Sequence, residues 1–151
     1  MTGKQRKRKV GHIAGVGLPD PSPEVLEWLR ENTDAQWRQS LLQAGELLSE
    51  RAICAAMNIS KAELIRRVTL GAMFSITVDD VTFYPGIFLD RTFSQSKLRE
   101  VCRILGVMDG AGKWFFLMQP RVSLGGLSPI AALRLGRYGD VRRSARAYVE
   151  R

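Results

Sequence analysis

The segment from Ser49 to Gly71 constrains the fold more than any other part of the sequence, because it predicts two short helices joined by a three-residue turn. Ser49 is placed to cap the first helix, which ends at Asn58, a residue type that tolerates the left-handed conformation. Ser60 and Glu63 then fit the S-x-x-E capping box that opens a second helix, and Gly71 ends that helix. This arrangement predicts a helix-turn-helix.

The second of these helices has two chemically different faces. Leu64, Ile65 and Val68 are expected to face the core. The residues expected toward solvent are Lys61, Ala62, Arg66 and Arg67, and three of these four are cations. An arginine on such a helix can read a guanine edge in the major groove or hold a phosphate. We therefore expect these three residues to bind DNA; the alternative is a solvated face on a motif that only supports the fold.

Beyond the second helix, the hydrophobic period changes from helical to alternating. Residues 74–78 alternate apolar and polar side chains, Asp79 and Asp80 form a turn, and residues 81–84 return before Pro85. This pattern predicts a β-hairpin, which would make the motif a winged helix-turn-helix. Two carboxylates at the tip would repel phosphate, so we expect the wing to pack against the protein.

Helical periods flank this region on both sides. Before it, one short helix is expected from Pro23 to about Asn32, and a second from Asp34 onward. The second of these carries an apolar stripe at helical spacing: Trp37, Leu41, Ala44 and Leu48. After it, capping residues predict helices that start at four positions: Ser94, Asp109, Ser128 and Asp140.

The predicted fold class is therefore mainly α, a helix-turn-helix with a small β-hairpin wing followed by a helical C-terminal domain. We expect three regions along the chain. Residues 1–21 form a flexible basic arm, residues 22–90 form the helical and helix-turn-helix DNA-binding region with the hairpin, and residues 91–151 form the C-terminal domain.

The charge of the chain favours polyanionic partners. Its 151 residues carry a formal net charge of +8. Lysines and arginines cluster in the predicted arm, where Lys7 and Arg8 are further candidates for DNA binding, and again along the last predicted helix. Basic runs are often only solubilising, so the charge supports a nucleic-acid partner without establishing one.

Catalytic residues are scarce in this sequence. The single histidine, His12, lies in the predicted arm, so no nucleophile has a stable base beside it. Gly110-Ala111-Gly112-Lys113 lacks the spacing of a phosphate-binding loop and is interpreted as an ordinary loop. Cys54 and Cys102 lie in apolar patterns and are expected to be buried thiols. We therefore expect neither an enzyme nor a metal or cofactor site.

The location expected for the protein follows from its hydropathy. No apolar run reaches the roughly 18 residues that a membrane-spanning helix needs, and no signal peptide is visible. The chain is therefore predicted to be cytoplasmic, with no membrane partner.

The C-terminal half contains a recognisable run, Trp-Phe-Phe-Leu-Met-Gln-Pro-Arg-Val-Ser-Leu-Gly-Gly-Leu-Ser-Pro-Ile-Ala-Ala-Leu, at residues 114–133. It resembles the toxin-binding domain of the Xre/MbcA/ParS antitoxin family. The resemblance is carried by seven residues: Trp114, Leu117, Pro120, Leu124, Gly126, Pro129 and Leu133. Residues 83–90 are also similar to the aromatic-proline junction that follows the helix-turn-helix in that family.

The resemblance implies the antitoxin of a type II toxin–antitoxin system, which neutralises a RES-type toxin that consumes NAD and represses the shared operon by binding operator DNA. The C-terminal region would then be a toxin-binding-like domain with these contact residues: Trp114, Pro120, Leu124, Gly126, Arg146, Tyr148 and Arg151. Arg146 or Arg151 would enter the toxin pocket that holds the pyrophosphate of NAD, with Tyr148 as an anchor. The alternative is that these arginines contact DNA phosphates or only water.

A further expectation concerns the oligomeric state, and an alternative function stands beside the antitoxin. The aromatic cluster at residues 114–116 is too apolar for one short helix face, and a single helix-turn-helix reads few base pairs, so we predict a homodimer. The alternative to an antitoxin is a stand-alone winged helix-turn-helix transcriptional regulator, or a recombination accessory factor, whose C-terminal half only dimerises. The sequence leaves both open.

Overall fold

The computed structural model describes residues 22–150, which form a mainly helical fold with a small antiparallel sheet. In chain order the elements are α1 (Pro23–Gln43), β1 (Leu47–Ser49), α2 (Glu50–Met57), α3 (Lys61–Thr69), β2 (Ile76–Val78), β3 (Val81–Pro85), α4 (Gln95–Ile104), α5 (Gly110–Met118), α6 (Pro129–Arg134) and α7 (Tyr138–Val149). Short 3-10 helices cover Gly86–Leu89 and Val122–Leu124. Two compact units divide inside α1, one ending at Gln36 and the other beginning at Trp37.

The first predicted boundary, between a helix ending near Asn32 and another starting at Asp34, is wrong. One helix, α1, runs through both positions. The Asn32 amide donates a hydrogen bond to the carbonyl oxygen of Trp28 at 2.7 Å, so its polar side chain is satisfied inside the helix. Neither glycine nor proline follows to interrupt the backbone.

The end of the predicted apolar stripe is wrong as well. Leu48 does not continue a helix, because Gly45 takes a φ of +76° and redirects the chain into β1. β1 then pairs antiparallel with β3, with Leu48 opposite Tyr84. A long-range strand pairing therefore overrides the local helical spacing.

The two short helices around the Asn58 turn form as predicted. The Ser49 hydroxyl accepts a hydrogen bond from the Ala52 amide at 3.1 Å, and the Ser60 hydroxyl accepts one from the Glu63 amide at 3.1 Å. Asn58 takes left-handed angles, with φ 56° and ψ 50°. In place of the capping-box bond to the backbone of Ser60, the Glu63 carboxylate binds two arginines of its own helix, Arg66 and Arg67.

One residue of the predicted buried face of α3 is misplaced. Leu64 is fully buried and Val68 is half-buried, but Ile65 is 50% exposed. Consecutive residues on a helix are separated by about 100°, so Ile65 turns away from the core that Leu64 enters. The outer face of α3 is consequently part apolar.

The predicted hairpin is confirmed as β2 and β3, and β1 pairs with β3 to add a third strand to the sheet. Asp79 and Asp80 both have positive φ, 50° and 64°, as a two-residue turn with the twist of a hairpin requires. The sheet order is β1-β3-β2. Arg38 donates to the carbonyl oxygen of Thr77 at 2.9 Å, and the Gln39 amide binds the Asp79 carboxylate. The hairpin is thus tied to the second half of α1.

The C-terminal helices begin largely where capping residues predicted. Ser94, Asp109 and Ser128 each accept a hydrogen bond from a backbone amide three residues on. Asp140 does not cap α7, which starts at Tyr138, two residues earlier. Its carboxylate instead receives a hydrogen bond from Arg137 at 2.9 Å.

One buried cluster extends from Leu41 to Ala145 and so includes residues on both sides of the predicted domain boundary at residue 90. Cys102 is fully buried, as predicted, and burial raises the pKa of its thiol to about 12. Cys54 is only half-buried. Across residues 22–150, none of the helices combines the length and apolarity that crossing a membrane requires.

Candidate nucleic-acid interface

Helices α3 and α4 bring arginines together around a cleft of about 230 Å³. The cleft is lined by these residues: Glu63, Arg66, Arg67, Leu70, Ala72, Arg99 and Arg103. We call this the arginine cleft. Four guanidinium groups in one concave surface form an arrangement suited to phosphate, because each offers several fixed N–H donors.

Glu63 orients the two arginines on α3. Nε and Nη2 of Arg66 donate to the two carboxylate oxygens at 3.0 Å each, and Nε of Arg67 donates to Oε2 at 2.9 Å. Hydrogen bonds from Arg66 and then Arg67 lower the pKa of Glu63 to about 2. The carboxylate is therefore ionised at neutral pH and holds both side chains while occupying some of their donors.

The second helix of the arginine cleft contributes residues that the sequence reading missed. Arg99 and Arg103 stand four residues apart on α4 and therefore share a face. Nη1 of Arg103 donates to Glu100 at 3.0 Å, whereas Arg99 has no ion pair with any residue from 22 to 150. Four arginines face two carboxylates, Glu63 and Glu100, so positive charge is in excess. Their i, i+4 spacing places the two arginines on one helix face in the sequence too, but nothing in the sequence indicates that α3 lies beside that face.

Other predicted DNA-binding residues have different placements. Lys61 is exposed at the start of α3, where its ammonium lies 3.7 Å from the Glu50 carboxylate. Lys7 and Arg8 lie outside the described residues. In the arginine cleft, Arg66 and Arg67 therefore lie beside α4, whereas Lys61 lies at the opposite end of α3.

The residues predicted to bind a toxin divide into buried and exposed sets. Trp114 is 4% exposed and Leu124 is 0% exposed, so the prediction that they contact a partner directly is corrected: both fill the core of this chain. Pro120 and Gly126 are exposed, and Gly126 has a φ of +88° that favours glycine.

The last helix supplies the remaining partner candidates. Arg146 is exposed on α7. The Tyr148 ring is half-buried and packs against Phe116 with ring centres 5.0 Å apart. Arg151 lies outside the described residues.

The Gly110-Ala111-Gly112-Lys113 run is the first turn of α5, which corrects its interpretation as a loop. The Asp109 carboxylate caps it by accepting from the Gly112 amide at 2.8 Å. Lys113 is 4% exposed, and burial lowers its pKa, so its ammonium is not offered to a ligand phosphate. In the part of the chain that the structure describes, no three or more His, Cys, Asp or Glu residues are grouped as a metal site.

Comparisons of this chain with protein families, with curated proteins and with solved structures found no match. They neither support nor oppose the resemblance of residues 114–133 to an antitoxin. The functional assignment therefore depends on the arginine cleft and on the chemistry of the exposed surface.

Proposed function

We propose that this protein is a DNA-binding transcriptional regulator and that the arginine cleft holds the phosphate backbone. The observation that carries the proposal is the convergence of Arg66, Arg67, Arg99 and Arg103 from two helices. Phosphate contacts from guanidinium groups provide most of the affinity of such proteins and fix their register on the duplex.

In this proposal, α2, the Asn58 turn, α3 and the hairpin act as a winged helix-turn-helix. The outer face of α3 would lie in the major groove, where Arg66 reads a base edge and Ile65 contacts a thymine methyl group. Support comes from the exposure of both side chains. The hairpin contributes by packing, since its acidic tip is held by Gln39.

We further propose the antitoxin role that the resemblance implies, with binding of a cognate RES-type toxin by the C-terminal half and repression of the shared operon. With Trp114 and Leu124 buried, the contact surface would consist of the exposed candidates Pro120, Gly126 and Arg146 with Tyr148. The stand-alone regulator remains the competing function. Co-expression and pull-down with the product of the neighbouring gene separates them, because only an antitoxin forms a stable complex that suppresses a toxic activity.

The DNA-binding proposal predicts the effect of a double substitution in α3. Arg66→Ala with Arg67→Ala should weaken binding to the DNA upstream of the gene by about tenfold or more, because a base contact and a phosphate contact are lost together. Arg66 is exposed and Arg67 is half-buried, and neither belongs to the buried core, so the folded state should persist. Gel-shift titration and circular dichroism on one preparation measure the two quantities.

A matched control separates this effect from net charge. Arg91→Ala with Arg142→Ala removes the same charge from exposed positions outside the arginine cleft and should change the affinity little. Binding by the α3 variant that equals wild type, or an equal loss in the control, would contradict the proposal.

The predicted homodimer needs a different interface from the aromatic cluster. Trp114 and Phe116 are buried, and Phe115 stacks on Trp37 with ring centres 4.5 Å apart, so the cluster is used within the chain. Exposed apolar residues instead lie on the first half of α1: Val25, Leu26, Trp28 and Leu29. We propose that this stripe pairs with a second copy, because an exposed apolar patch is typical of an interface.

This proposal predicts that Trp28→Ser with Leu29→Ser converts a dimer to a monomer in light scattering at roughly tens of micromolar, a concentration that must be held fixed because dimerisation depends on it. Trp28 is 61% exposed, so the folded chain should tolerate the change. Val107→Ser, at a position 96% exposed elsewhere on the surface, is the control and should leave the dimer intact. A monomeric wild type, or a dimer that survives the double substitution, would be inconsistent with this interface.

A further inference from the structure

A second cleft, distinct from the arginine cleft, has a volume of about 540 Å³. Residues 120–123, which lead into the second 3-10 helix and begin it, form one side of this cleft, and the last helix, α7, forms the other. Its lining residues are Pro120, Arg121, Val122, Ser123, Ser144, Ala147 and Tyr148. We call it the Arg121 cleft. The volume falls within the range of about 300–1,000 Å³ that is common for ligand clefts.

The guanidinium of Arg121 packs against two neighbouring aromatic rings, which also contact each other. Its central carbon is 4.6 Å from the ring centre of Phe116 and 4.5 Å from that of Tyr148. Both distances are within the range of a cation–π contact, which fixes the cation in place without neutralising it. Arg121 has no ion pair with a carboxylate anywhere in residues 22–150.

Within residues 22–150, most of the donors of Arg121 have no acceptor. Nη2 makes a long hydrogen bond of 3.5 Å to the carbonyl oxygen of Phe115, and Nε is buried with no partner. A guanidinium carries five N–H groups. A buried donor without an acceptor costs stability, so the fold keeps this cation in position at a cost, and the terminal nitrogens retain free donors.

The opposite wall supplies a further donor. The hydroxyls of Ser123 and Ser144 lie 2.9 Å apart and share one hydrogen bond. Only one of the two protons is used between them, and neither hydroxyl makes another hydrogen bond within the described residues. Among the described residues, the lining therefore combines a fixed cation with a hydroxyl donor and contains no acidic side chain.

We propose that the Arg121 cleft binds a carboxylate carried by an acidic segment of a protein partner. The free N–H donors of a fixed cation favour an anionic acceptor, and a single guanidinium with its planar fork matches one carboxylate. Pro120, Val122 and Ala147 add small apolar surfaces beside it, suited to cover the backbone of a short peptide. A phosphate dianion would find only this one cation among the described residues of the lining.

This inference rests on the part of the proposed function that gives the C-terminal half a protein partner, and it is independent of DNA binding. A failure of the DNA titration leaves it standing, because the two clefts share no residue. A failure of the pull-down also leaves it testable, since the peptide probe below requires no toxin.

The test is an NMR titration that follows the Nε–Hε signal of Arg121 in the full chain. The probes are the blocked tripeptide acetyl-Ala-Glu-Ala-amide, its Gln analogue, sodium acetate and sodium phosphate. We expect the Glu peptide to shift the signal saturably and to bind at least tenfold more tightly than the other three. Equal binding of the Gln peptide would overturn the carboxylate assignment, and equal binding of acetate or phosphate would overturn the protein partner in favour of a free anion.

Variants complete the experiment. Arg121→Gln should abolish peptide binding. Ser123→Ala should weaken it several-fold, and because Ser123 is more exposed than Arg121 this change does not put the fold at risk. Peptide binding by both variants is followed through the amide signals near Ala147. Arg142→Gln, an exposed arginine on the same helix α7, should leave binding unchanged. An equal loss in Arg142→Gln, or full binding by both Arg121→Gln and Ser123→Ala, would overturn the proposal.

Discussion

Replacing Gly110 with alanine is expected to destabilise the protein by about 3 kcal/mol or more, near the upper end of what overpacking costs. A methyl group at this position would lie 1.8 Å from the carbonyl oxygen of Ser75 and 3.5 Å from Cδ1 of Phe74. The first of these atoms belongs to the backbone, so no side-chain rotation can relieve the overlap. The chain before β2 and the start of α5 would have to separate, exposing buried surface at Phe74.

Chemical denaturation followed by circular dichroism measures this change in the free energy of unfolding. Gly139→Ala is the matched control, because a methyl group there meets no atom closer than 3.9 Å. Inside α7 that change should be neutral or stabilising by up to about 1 kcal/mol. A Gly110→Ala protein within 1 kcal/mol of wild type would show that the close approach of these two segments does not exist.

Substituting all four arginines of the cleft, Arg66, Arg67, Arg99 and Arg103, by glutamine should reduce affinity for the upstream DNA by about a thousandfold at low salt. The reason is the loss of several phosphate contacts at once from a single surface. Arg99→Gln with Arg103→Gln alone should already weaken binding by tenfold or more, although neither residue is on α3. Fluorescence anisotropy with labelled DNA gives these affinities.

The opposite effect is expected from Glu63→Gln. This substitution removes the carboxylate that occupies donors of Arg66 and Arg67, so affinity for DNA of any sequence should rise. A fall in affinity would mean that Glu63 serves mainly to position the two arginines.

An unchanged affinity in the four-arginine variant would remove the arginine cleft from the DNA interface.

Local chemistry predicted most of the element starts and the hairpin. Ser49, Ser60 and Ser94 cap helices because a hydroxyl satisfies an amide that the helix leaves free, which needs no knowledge of the rest of the fold. Asp79 and Asp80 adopt a turn that their own backbone permits. These features depend on contacts within a few residues, so the sequence contains the information directly.

What the sequence could not supply depends on distant contacts. Leu48 fits a helical stripe, yet pairing with Tyr84 places it in a strand. Trp114 resembles a partner contact in the sequence motif, but the surrounding helices bury it. Arg99 becomes interesting only when α4 is seen beside α3, since its own helix offers no sign of a neighbouring basic surface.

The salt dependence of binding tests the central claim most directly. For a double-stranded DNA from the upstream region, the slope of log K against log salt reports the number of phosphates neutralised, at about 0.9 per contact. We predict a steep slope for wild type and one that is shallower by about 3 when Arg66, Arg67, Arg99 and Arg103 are replaced, because three of the four contact phosphate and Arg66 reads a base. A four-arginine variant whose slope equals that of wild type would contradict it.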